Sequence, residues 1–326
     1  MTTMQARIEQ WDRFWAYGNL HSFSQVHAGN YRGAVAAFWQ ERFAALADGS
    51  RILDIATGNG AVPLLALDEA ERSGRRFAVD ATDLAAIEPL QRVEDPALRA
   101  RLERVRFHPR TPAEQLPFDD GAFDLVASQF GIEYSDPERS LPEAARVLAP
   151  GGAAAFVVHH EDSVFLAAVD DELAQLGYVL DEVGLYGAAR TLLRTMAEGR
   201  GRTSASPKVK KKRAAVDAAL ARIDAADADA ADARMLQGPA RYVREILGAL
   251  ERRPAKELLR WLEEARARVE ANRRRVRDMR AAACSGADME AFAGALADAG
   301  LADVEVGALE QDDGSLLGWR VTAARP

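Results

Sequence analysis

Residues 51–61, RILDIATGNGA, constrain the fold of this chain more than any other stretch. Ile52, Leu53 and Ile55 are strand formers in a run too short for a helix. Gly58 and Gly60 bracket Asn59, which leaves no bulk where the backbone must turn sharply and lie close to a ligand. A helical pattern follows. Strand, glycine turn and helix in that order belong to an open parallel sheet, whose ligand crevice lies at the carboxyl ends of the strands. Asp54 falls at that end. The segment reads as a turn that binds a nucleotide-like molecule.

The rest of the chain supplies the sheet this turn requires. Strand patterns at 51–56, 76–82, 105–108, 123–128 and 153–159 alternate with helical ones at about 61–72, 84–93 and 138–148, which means a parallel sheet covered on both faces. Two further strands, 304–309 and 316–323, follow a helix over about 289–300 and are joined by a turn at 311–314. The fold class is therefore α/β, with a doubly wound, mainly parallel, seven-stranded sheet. Residues 1–48 read as an N-terminal helical cap, in which Ile8, Trp11, Trp15, Val35, Phe38, Trp39 and Phe43 recur at helical spacing. Tyr17 and His21 lie in a loop within that cap and are candidates for substrate contact. Residues 49–161 and 286–326 form the sheet domain, and 162–285 a helical insertion. Flexible breaks are expected at 199–207, 237–239 and Pro254. In the last long helix Leu258, Leu262, Ala265, Val269, Asn272, Val276 and Met279 step by four and three, a heptad seam with one polar position. Such a seam serves an antiparallel helical hairpin or a homodimer.

The chain of 326 residues has a net charge of -8, which argues against nucleic acid as a partner of the whole. Its charge is unevenly placed: residues 200–280 carry a surplus of Lys and Arg and the remainder is acidic. One cysteine, Cys284, excludes an internal disulfide framework and suits a reducing compartment. No apolar run approaches the ~18 residues that a membrane span needs, and a soluble cytoplasmic protein is expected.

The glycine turn departs from dinucleotide enzymes, whose G-x-G-x-x-G receives a pyrophosphate. Here Ala61-Val62-Pro63 follows Gly60, with no third glycine, and the carboxylate of Asp54 precedes the turn. An anion there repels pyrophosphate but can hold an ammonium. A ligand with an α-amino group and no phosphate fits, and S-adenosylmethionine (SAM) is one.

Taken with the later motifs, the chain resembles the class I SAM-dependent methyltransferases that act on small molecules. ILDIATGNG resembles their first motif, with Ala56 in place of its first glycine. FAVDATDLA resembles their second strand, whose terminal carboxylate, here Asp83 beside Leu84, accepts from both ribose hydroxyls. TPAEQLPFDDGAFDLV resembles the stretch beside the adenine, with Ala113 and Glu114 matching and Pro112 replacing an Asp. EAARVLAPGGAAAFV resembles the helix and turn before the fifth strand. The resemblance implies SAM as cofactor, bound by Asp54, Ala56, Gly58, Asn59, Gly60, Asp83, Leu84, Ala113, Glu114, Gln129 and Phe130. It also implies transfer of a methyl group to a small-molecule acceptor at oxygen, nitrogen or carbon.

Methyl transfer asks the protein mainly to position a nucleophile and exclude water. A base helps where the acceptor must lose a proton. Glu133 and Tyr134 follow the fourth strand and are candidates to face the acceptor. His159 and His160 end the fifth strand, where an imidazole can serve as base. Alternation sends the two to opposite faces, so at most one faces the acceptor, and both can simply cap the strand. Their divergence also argues against a metal site. The run KVKKKR at 208–213 has no interleaved aromatics and reads as a solvated helical face. Two other readings stand beside the enzyme: a non-catalytic assembly protein using the helical arm, and a nucleic-acid methyltransferase. The acidic sheet domain argues against the second of these, as does SQFGIEY where an Asn/Asp-Pro-Pro-Tyr/Phe stretch would stand.

Overall fold

The computed structural model describes residues 4–22, 29–198, 206–228 and 232–326. The chain divides into two compact units, Met1–Ala167 with Asp278–Pro326, and Ala168–Arg277.

The first unit is built on a seven-stranded sheet in the order β3-β2-β1-β4-β5-β7-β6. Strand β1 (Arg51–Ile55) is central, parallel to β2 (Ala78–Asp83) and β4 (Phe123–Gln129). Both of its faces are covered, which is why its sequence is apolar without alternation. Strand β3 (Val105–Pro109) lies outside β2, and β5 (Leu148–Val158) outside β4, both parallel. The hairpin of β6 (Ala302–Glu310) and β7 (Leu316–Ala324) completes the sheet, with β7 antiparallel to β5.

Helices α1 (Met4–Ala16) and α2 (Gly33–Ala44) precede the sheet, and α3 (Ala61–Ser73) opens directly after the glycine turn. Between β2 and β3 the expected helix at 84–93 is absent. The chain instead makes a short α4 (Pro89–Arg92) and then α5 (Pro96–Leu102). Pro89 and Pro96 explain the division, because each can start a helix but not continue one. Asp95 caps α5 by accepting from the Ala97 and Leu98 amides. After β4 comes a single 3-10 turn (Ile132–Tyr134) and then α6 (Pro137–Val147). Strand β5 starts five residues earlier than its apolar pattern suggested, taking in Pro150-Gly151-Gly152. The β4 pairing shifts register between Phe123 and Leu125, and that irregularity lets the turn-like residues join the strand. On one face of the sheet Leu53, Val126 and Phe156 pack with Leu141 and Ala144 of α6. Met289, Phe292 and Leu296 of α12 (Gly286–Asp298) belong to the same core. Each such side chain contributes about 1.5–3 kcal/mol when fully buried.

The second unit takes in most of α7 (Val164–Gly177), then α8 (Leu185–Glu198), α9 (Pro207–Asp227), α10 (Arg234–Gly248) and most of α11 (Ala255–Ala282). Its core joins Leu185, Leu192, Val216, Ile223, Val243 and Ile246 with the seam residues Leu258, Leu262 and Ala265. From Leu258 to Val269 the heptad seam thus packs inside its own unit. Its polar position is satisfied locally, with Asn272 Nδ2 bonded to Glu172 and Asn272 Oδ1 accepting from Arg275 at 2.9 Å. The break expected at 237–239 is not one: Pro239 lies early in α10, where it removes a single intrahelical bond. Most of the break expected at 199–207 lies outside the described residues.

Candidate active site

The carboxyl ends of β1, β2 and β4 meet at a cavity of about 480 Å³, walled on the open side by α1 and the segment after it. Its size is that of a typical small-molecule site. The glycine turn at the end of β1 depends on left-handed backbone at Ala56 (φ 57), Gly58 (φ 57) and Gly60 (φ 93). Gly58 also cannot carry a side chain, because an added Cβ would lie 2.4 Å from the Trp15 ring. Ala56 and Phe130 (φ 52) are not glycine, so strain is held at two positions of the cavity wall.

Asp54 lines the cavity and is 1% exposed. Neither of its carboxylate oxygens has a hydrogen-bond partner in normal geometry. Burial pushes its pKa up to about 8, opposed by the nearby Thr57 hydroxyl and aided by the charge of Asp83. Gln129 stands on the same wall at the end of β4. Its Oε1 accepts from Trp39 Nε1 at 2.6 Å, which fixes the amide's orientation, and its Nε2 is buried without a partner. An unpaired acceptor and an unpaired donor therefore face one cavity, and each costs stability until a ligand supplies the missing bond.

Asp83 ends β2 and lines the cavity. Its Oδ2 accepts from the Gly58 amide at 2.8 Å and its Oδ1 from the Ala85 amide at 2.8 Å. These bonds lock the carboxylate against the glycine turn and leave lone pairs for a diol. Burial pushes its pKa up to about 6 in spite of them. Leu84, Ala113 and Glu114 also lie on the wall, and Glu114 Oε1 accepts from the Asp136 amide at 2.9 Å.

Of the eleven residues expected to bind the cofactor, eight line the cavity: Asp54, Ala56, Asp83, Leu84, Ala113, Glu114, Gln129 and Phe130. Gly58, Asn59 and Gly60 do not. They shape the turn from behind, and Asn59 Nδ2 is committed to the main-chain oxygens of Trp15 and Asn19.

The histidines of the fifth strand are not on the cavity wall, contrary to the base expected there. His159 is buried and stacked on Phe130, with ring centroids 4.4 Å apart, and burial drives its pKa down to about 3. His160 stacks on Trp319 at 4.2 Å, and its Nδ1 accepts from the Asp162 amide at 3.0 Å. Both lie just past the end of β5 at Val158, and their rings go to different packing partners. Glu133 is also off the wall: its Oε1 accepts from the His159 amide at 3.0 Å, and burial pushes its pKa up to about 8. Tyr134 does line the cavity.

In the cap, Tyr17 is 65% exposed and away from the cavity, whereas His21 is buried on its wall. His21 Nε2 lies 3.1 Å from the Gly29 oxygen, and its ring stacks on Tyr31 at 4.5 Å. Tyr31, Thr57, Trp11, Trp15 and Arg7 line the cavity although none was singled out for it. The helical spacing of Trp11 and Trp15 marks a buried face, but spacing alone does not say what that face covers.

Residues 35–175 match the ubiE/COQ5 methyltransferase family. Demethylmenaquinone methyltransferase of Thermus thermophilus is 41% identical over 103 residues, 31% of this chain and 44% of that protein. The ubiquinone/menaquinone biosynthesis C-methyltransferase UbiE of Xylella fastidiosa is 35% identical over 120 residues, 36% of this chain and 46% of that protein. The chain thus spans less than half the length of the curated relatives it matches. Among solved structures, the 1,6-didemethyltoxoflavin-N1-methyltransferase of Burkholderia thailandensis aligns over 50% of this chain and 66% of its own, at 20% identity and a TM-score of 0.37. The family match runs from α2 into α7 and so covers the five parallel strands. Over residues 35–175 the sheet unit is similar to the ubiE/COQ5 methyltransferases, and its strand order and cavity fit a class I SAM-dependent methyltransferase domain.

Proposed function

We propose that this protein transfers a methyl group from SAM to a small organic acceptor. The observation that carries the reading is the pair of unsatisfied groups on one wall, the Asp54 carboxylate and the Gln129 amide nitrogen. An α-amino acid carries the complementary pair, an ammonium for Asp54 and a carboxylate for Gln129. Asp83, fixed by the Gly58 and Ala85 amides, offers a rigid acceptor for two ribose hydroxyls. When bound, SAM supplies an electrophilic methyl on a sulfonium.

The chain's own work is then to orient the acceptor and keep water out. Trp11 and Trp15 cover the crevice, their rings stacked at 5.9 Å. Of Glu133, Tyr134, His159 and His160, Tyr134 alone is on the wall. His21 is the imidazole on the wall that would contact the acceptor, with the Gly29 carbonyl accepting from its Nε2. Among the described residues no helix is long and apolar enough to cross a membrane, and in this reading the enzyme works in the cytoplasm. The helical unit serves as a lid or an assembly arm. Removing residues 168–277 separates the two, since a lid's loss stops turnover and an arm's loss abolishes oligomers.

The test is turnover itself. Incubation with methyl-labelled SAM and a panel of phenols, aromatic acids and heterocycles should move label into an organic product and release S-adenosylhomocysteine. A protein that binds SAM but labels none of these, including acceptors from cell extract, would be a binding protein and not this enzyme.

A further inference from the structure

The cavity wall contains five charged side chains besides its histidine, and four of them are carboxylates: Asp54, Asp83, Glu114 and Asp136. Arg7 is the one cation among the described lining residues. It comes from α1, on the same face as Ile8 and Trp11. Two fixed acceptors aim it. Its Nε donates to Asp278 Oδ2 at 3.2 Å and its Nη1 to the main-chain oxygen of Tyr134 at 3.4 Å. Gln10 donates to the same Asp278 oxygen, and Asp278 is only 6% exposed. The guanidinium has five donors, and its side chain remains 38% exposed. A preorganised arginine with unused donors at a cavity is suited to a planar anion.

The surroundings of Arg7 are flat and apolar. The Trp11 ring meets the Tyr134 ring edge-on at 5.6 Å, and Ile8 lies beside them on the wall. Aromatic walls favour another ring. The Asp54 and Gln129 pair lies at the strand ends, so the α1 and Tyr134 side is left for the acceptor.

We propose that the acceptor is an aromatic acid, its ring packed against Trp11 and Tyr134 and its carboxylate paired with Arg7. This inference rests on the methyltransferase reading and deepens it. Asp278 already offsets part of the Arg7 charge, so discrimination is on the order of tenfold rather than a thousandfold.

The test titrates 2-naphthoate and 2-naphthamide into the full chain saturated with S-adenosylhomocysteine, for the wild type, Arg7→Met and Arg7→Lys. The wild type should bind the carboxylate about tenfold more tightly than the amide. Arg7→Met should abolish that preference while leaving the affinity for S-adenosylhomocysteine unchanged, and Arg7→Lys should retain part of it. Equal affinity for the two probes in the wild type overturns the inference, and so does binding of neither. That comparison stands even if the variants fail to fold. A preference that survives in Arg7→Met overturns it as well. Loss of S-adenosylhomocysteine affinity in Arg7→Met would assign Arg7 to the cofactor instead. If S-adenosylhomocysteine does not bind the wild type at all, it is the methyltransferase reading that fails.

Discussion

Asn59 donates through Nδ2 to the main-chain oxygens of Trp15 at 3.0 Å and Asn19 at 2.7 Å, so the glycine turn itself holds the end of α1. The middle residue of Gly58-Asn59-Gly60 therefore fastens the wall that covers the cavity, and does not touch the cavity. Asp12 fastens the same helix from the other side, accepting from the Ala86 amide at 2.7 Å and from Arg110 at 2.7 Å. Asn59→Ala removes both bonds, leaving the Trp15 oxygen with the Gly18 amide at 3.0 Å and taking the side-chain donor from the part-buried Asn19 oxygen, which costs about 1 kcal/mol. Urea unfolding should report that loss. SAM affinity should fall with it, although Asn59 does not line the cavity.

Gly58→Val addresses the same contact from the turn. Its Cβ would meet the Trp15 ring, and the left-handed backbone at φ 57 opposes any β-branched residue. Trp15 must move, and SAM binding should be lost. Tryptophan emission should shift in the free protein and no longer respond to SAM, whereas the wild type should respond because Trp11 and Trp15 line the cavity.

Ala56 shows the opposite case. It adopts φ 57, and its Cβ occupies the space that a Cβ on Gly131 would need. Left-handed backbone costs an alanine about 1 kcal/mol more than a glycine. Ala56→Gly should therefore raise the stability of the ligand-free protein by about 1 kcal/mol in urea. Unchanged stability would mean that the turn is not strained.

The buried carboxyls give the ligand-free protein a pH dependence of known sign. Burial raises Asp54 and Glu133 to about 8 from ordinary values near 4. A raised carboxyl pKa means that the folded state holds a proton the unfolded state has lost. Stability is then lost as pH rises from the unfolded value through the folded one. His159, held near 3, is neutral in both states above about pH 7 and adds nothing there. The thermal midpoint should fall between pH 7 and pH 9. Asp54→Asn should flatten part of that slope, and saturating SAM should flatten more, because an ammonium beside Asp54 restores its ordinary pKa.

The frame of this domain could be read from the sequence because strands and helices alternate with different periods. A buried parallel strand such as ILDI leaves a continuous apolar run that few other elements produce. The crevice residues Asp54, Asp83 and Gln129 were legible for the same reason: they sit where strands end. Three kinds of feature were not. The cap's role depended on what the Trp11 and Trp15 face covers, which is a long-range contact. His159 and His160 have the right chemistry at the right strand end, yet Phe130 and Trp319 claim their rings, and neither pairing leaves a local signal. The seam from Leu258 to Met279 fits a dimer and a hairpin equally well, and the packing of Leu258 and Leu262 with Val216 and Ile246 is a long-range contact that leaves no local signal.

In the proposed complex Asp54 and Gln129 hold the amino-acid group of SAM. Calorimetric titration of SAM at pH 7, in two buffers of different ionisation enthalpy, tests it most directly. Asp54 sits near pKa 8 in the free protein, so binding an ammonium should drive a proton out. Wild type should bind SAM at micromolar concentration with net proton release. Asp54→Asn should bind on the order of a hundredfold more weakly, with that release absent. Absence of binding by the wild type at high micromolar SAM would contradict the account, as would tight binding that is indifferent to Asp54→Asn.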